Sequence, residues 1–156
     1  MNKSRLTEIA QWLEAGAPVR NGVIAFNMED GVARSRNACG TACCIAGAAV
    51  MFFDPEARDH IEKNIQHRLD KINVEFRRST DYANYDFFSP GGVKVMAQHL
   101  LGIDSDQGDA LFVPFDGEGL DDIQPVDAAR VIRHFIKTGE IDWVGQNPHL
   151  ARTGEF

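Results

Sequence analysis

Ala38-Cys39-Gly40-Thr41-Ala42-Cys43-Cys44-Ile45-Ala46-Gly47-Ala48-Ala49-Val50-Met51-Phe52-Phe53 contains no charged side chain, and its placement decides the architecture around it. A helix that is apolar on every side has to be surrounded by protein. Residues 38–53 are therefore expected to form the central helix of the domain, with Asn37 as its N-cap. The small side chains let neighbouring elements approach closely, while Gly40 and Gly47 cost some helix propensity. The apolar run proper, from Ala42 to Phe53, falls short of the roughly 20 residues a membrane span needs.

Working outward, Leu6, Ile9, Ala10 and Leu13 recur at helical spacing, so residues 4–14 read as an amphipathic helix ended by Gly16-Ala17-Pro18. Ile24, Phe26 and Met28 alternate as in a strand. Asp30-Gly31 is a hairpin turn signal, with Val32 to Ser35 as the return strand. On the other side, Asp54-Pro55-Glu56 is a helix start: a capping acid, a proline at the first position, then another acid near the positive end of the dipole. Ala57, Ile61, Ile65, Leu69, Ile72 and Phe76 then form one apolar stripe. Ser89-Pro90 opens a helix carrying Val93, Met96, Ala97, Leu100 and Leu101, stopped by Gly102. Asp104 or Ser105 caps a short helix through Leu111 and Phe112, and Asp116 to Asp122 reads as a loop. A last helix runs from about Val126 to Lys137, buries Ala129, Ile132 and Ile136, and ends at Gly139.

The fold class that follows is mainly α, or α+β if the small N-terminal hairpin forms, with about five helices around the central one. Residues 1–145 are expected to form a single globular domain and residues 146–156 a polar, loosely held tail. A chain of 156 residues suits one domain, and at that size a core needs no metal or disulfide staple. No apolar signal core follows Met1-Asn2-Lys3-Ser4-Arg5, and Cys39, Cys43 and Cys44 are too crowded for a disulfide framework. Reduced thiols in a cytoplasmic protein are the expectation.

The net charge of −7 is unevenly placed. Residues 1–98 hold 12 acidic and 12 basic side chains, whereas residues 99–156 hold 11 acidic and 4 basic. No basic stripe exists to neutralise phosphates, so neither direct nucleic-acid binding nor attachment to an anionic membrane is expected.

Cys39-Gly40-Thr41 followed by Cys44-Ile45-Ala46-Gly47 resembles a C-G-T-x-x-C-I-A-G signature found in small bacterial and phage proteins. Leu111-Phe112-x-Pro114 is similar to a second recurrent element of those proteins. So is Ala129-x-x-Ile132 with Thr138-Gly139-Glu140-Ile141-Asp142-Trp143. The resemblance implies a phage or mobile-element setting and brings no particular activity with it.

Three kinds of site compete for what chemistry there is. Cys39, in the first turn of a helix capped by Asn37, would have its thiolate favoured by the unpaired N–H groups and the dipole. His99 or His134 would serve as the base of such a cysteine nucleophile. Against this stands the plainer role of all three cysteines as small hydrophobes in a close-packed helix. A metal on Cys39 and Cys43 lacks a second ligand pair with known spacing, and His60 and His67 sit on a heavily charged helix. Asp104-x-Asp106-x-Gly108-Asp109 has its glycine one place early for a calcium loop and Phe115 where the bidentate glutamate belongs. Asp116, Glu118, Asp121 and Asp122 have no spacing that fixes a site. No metal and no cofactor is therefore expected. The third candidate is a binding surface made by Tyr82, Tyr85, Phe87 and Phe88, which lie between two helices as aromatic contact anchors for a protein partner. The alternative is that Phe87 and Phe88 fold back onto the next helix. The acidic C-terminal part is suited to steering a basic partner. A non-enzymatic accessory protein that binds another macromolecule is the leading expectation, with the cysteine enzyme as its rival.

Overall fold

Asn2 opens the first helix, its side-chain oxygen accepting from the Arg5 N–H at 3.2 Å, and α1 (Lys3–Glu14) follows. Its apolar stripe of Leu6, Ile9, Ala10, Trp12 and Leu13 is buried. The Trp12 indole N–H donates to the Pro18 carbonyl at 2.7 Å, tying down the segment that leaves the helix. This computed structural model describes residues 1–28, 32–34, 41–65, 92–117 and 119–151.

Three short strands come next: β1 (Val23–Phe26), β2 (Val32–Arg34) and β3 (Thr41–Cys43). The two strands expected near the N-terminus are present, but they do not pair as a hairpin. β3 lies between them, parallel to β1 (Phe26 opposite Cys43) and antiparallel to β2 (Val32 opposite Cys43).

The same finding corrects the central helix. α2 spans Ile45–Phe53, with Cys44 in extended backbone as its N-cap, so the helix starts seven residues later than position 38. Thr41 and Cys43 are modest helix formers beside Gly40, and pairing on two sides gives their strand backbone hydrogen-bond partners. An uncharged stretch is equally at home in a buried strand and a buried helix. From Ile45 onward the expectation of a fully enclosed helix is met: every residue from Ile45 to Phe52 is buried. α2 touches α1, β3 and the three helices that follow it.

Those helices are α3 (Pro55–Ile65), α4 (Gly92–Leu101) and α5 (Ser105–Phe112). Asp54 Oδ1 accepts from the Ala57 N–H at 3.1 Å, which is the expected start of α3, and Ala57 and Ile61 are buried. The continuation of that stripe to Phe76 lies outside the described residues. Met96, Ala97 and Leu101 face the core from α4, and Gly102 leaves it at φ +61°. Asp104 and Gln107 form a reciprocal capping box on α5, at 2.8 and 3.2 Å.

The long helix α6 (Pro125–Thr138) packs along α1, and a left-handed Gly139 ends it. Arg133 on α6 grips Glu14 on α1 with two hydrogen bonds, at 2.8 and 2.9 Å. A one-turn helix α7 (Trp143–Gln146) and a 3-10 turn (Pro148–Leu150) close the described chain. The protein is mainly α, with one shared apolar core. No helix among the described residues is long and apolar enough to cross a membrane. Of residues 146–156, expected as a loosely held tail, Asn147 is fully buried and Leu150 is 9% exposed, while 152–156 lie outside the described residues.

Candidate functional site

Asp127 lies in the first turn of α6, where an acid complements the helix dipole, yet it is only 2% exposed. Burial of a carboxylate demands hydrogen-bond donors around it. The Gln124 N–H donates to Oδ2 at 3.0 Å, Arg130 Nη1 to Oδ1 at 3.3 Å, and His149 Nε2 reaches Oδ2 at 3.2 Å. Asn147 joins the group from the following turn. Its amide nitrogen donates to the Asp127 backbone carbonyl at 3.1 Å, and its amide oxygen accepts from Arg130 at 3.3 Å. Four side chains from two segments thus form one hydrogen-bonded group, which ties Asn147 and His149 to α6.

A cavity of about 380 Å³ opens beside this cluster, lined by Phe115, Gly119, Asp122, His149, Leu150 and Ala151. That volume is within the range of small-ligand pockets. Its walls come from two 3-10 turns, Pro114–Gly117 and Leu120–Asp122, and from the docked C-terminal turn. Phe115 holds a left-handed backbone, φ +58°, which a non-glycine residue rarely adopts. Its ring meets Trp143 edge-on at 6.5 Å, and the Trp143 indole donates to the Ala110 carbonyl at 2.9 Å. The segment expected as an acidic loop is therefore built of two short turns with an aromatic ring in one cavity wall.

The residues singled out from sequence fall elsewhere. Cys39 lies outside the described residues, as do Tyr82, Tyr85, Phe87 and Phe88. The helix whose first turn was to activate Cys39 begins at Ile45, so the dipole argument for its thiolate loses its helix. Cys43, in β3, and Cys44 are 0% and 5% exposed, which matches the role of small hydrophobes in the core. His99 is exposed near the end of α4, and His134 is half-buried on α6. No group of three or more His, Cys, Asp or Glu side chains suited to a metal occurs among the described residues.

Asp127, Asn147 and His149 do not stand out in the sequence. A faint signal exists in the acid three residues beyond Gln124, which is the spacing of a capping box. The contacts of Asp127 with Asn147 and His149 span about twenty residues of chain and leave no local pattern. No protein-family model matches this chain, and no curated protein or solved structure is detectably similar to it.

Proposed function

We propose that this is a non-enzymatic accessory protein that binds a protein partner through its acidic C-terminal part, in the cytoplasm and in a phage or mobile-element setting. The observation that carries this reading is the placement of charge. Asp104, Asp106, Asp109, Asp121, Asp122 and Glu140 are all exposed, in a stretch that holds 11 acidic and only 4 basic residues. Of these, Asp109 is paired with Lys94. A one-signed surface speeds encounter with an oppositely charged partner and rejects nucleic acid. In this reading Tyr82, Tyr85, Phe87 and Phe88 are the aromatic anchors of the contact. The cysteine-enzyme alternative, Cys39 with His99 or His134, gains no supporting observation.

Capture from host lysate with three baits tests the reading: the wild type, Phe87→Ala/Phe88→Ala, and Asp104→Asn/Asp106→Asn/Asp121→Asn. The expected result is a protein held by the wild type and lost from both variants. Recovery of the same set of proteins by all three baits would remove the basis for the proposal.

A further inference from the structure

We draw no further inference here: the strongest candidate, the cavity beside His149 between the two 3-10 turns and the C-terminal turn, offers one exposed carboxylate, Asp122, and the Phe115 ring, and nothing in the structure shows what fills it.

Discussion

Asp127, Gln98 and Glu14 are three polar side chains in three different surroundings, and each sets its own expectation. Truncating Asp127 would strip an acceptor from the Gln124 N–H, Arg130 and His149 at once. Asp127→Ala should therefore cost about 2–3 kcal/mol in urea denaturation, more than an ordinary exposed acid. A wild-type midpoint in that variant would contradict the network described above. Gln98 is the opposite case: its Nε2 is buried with no hydrogen-bond partner among the described residues. Gln98→Met keeps the shape, removes the desolvated donor, and should stabilise by about 1 kcal/mol in the same assay. Glu14 sits at the surface, where two hydrogen bonds from Arg133, aided by its charge, hold the carboxyl below its ordinary value of 4.5. Its folded value is lower than its unfolded one, so its contribution is fully present above pH 4.5 and fades as pH falls through the folded value. Both partners are about two-fifths exposed, so the pair is worth roughly 0.2–1 kcal/mol. Glu14→Gln should lose that amount at neutral pH and match the wild type in strong acid, as read from urea midpoints across the acid range.

Elements with an amphipathic stripe or a capping residue are legible in the sequence itself. α1, α5 and α6 fall within a few residues of their expected spans, because Gly16-Ala17-Pro18, Asp104 and Gly139 mark ends by local chemistry. The stretch from 38 to 53 reads as one helix, wrongly at Thr41 to Cys44, because absence of charge reports burial and not backbone period. What makes Thr41–Cys43 a strand is pairing with Val23–Phe26 and Val32–Arg34, which no window around residue 42 contains. The candidate site is illegible for the same reason: Asp127 meets residues that follow it only after the chain has turned twice, through Gly139 and Asn147. The enclosure of α2 sets a further expectation. Ile45→Ala, at a fully buried position, should destabilise by about 2–5 kcal/mol. Ala48→Leu adds volume where neighbours already touch and should cost about 1–3 kcal/mol. Thermal melts of both variants check the pair, and tolerance of Ala48→Leu would mean that the helix has an open side.

For the molecule as a whole, a shared core means that its parts should lose structure together. Cys43 and Cys44 belong to that core, so both thiols should resist alkylation until the urea concentration reaches the global unfolding transition. Rapid labelling of either under native conditions would mean that the strand-to-helix junction opens by itself. The charge asymmetry is also a property of this scale: association with the proposed protein partner should slow steeply between about 50 and 200 mM salt, as long-range attraction is screened. The two tryptophans carry one more consequence. Trp12 is anchored on Pro18 beside Phe52, whereas Trp143 is anchored on Ala110 beside Phe115, so each indole stands watch over a different part of the protein. Keeping one emitter at a time, with Trp12→Phe or Trp143→Phe, turns intrinsic fluorescence into two clocks, one beside Phe52 and one for the His149 corner, and the two should run out at the same moment, any interval between them marking a corner that lets go alone.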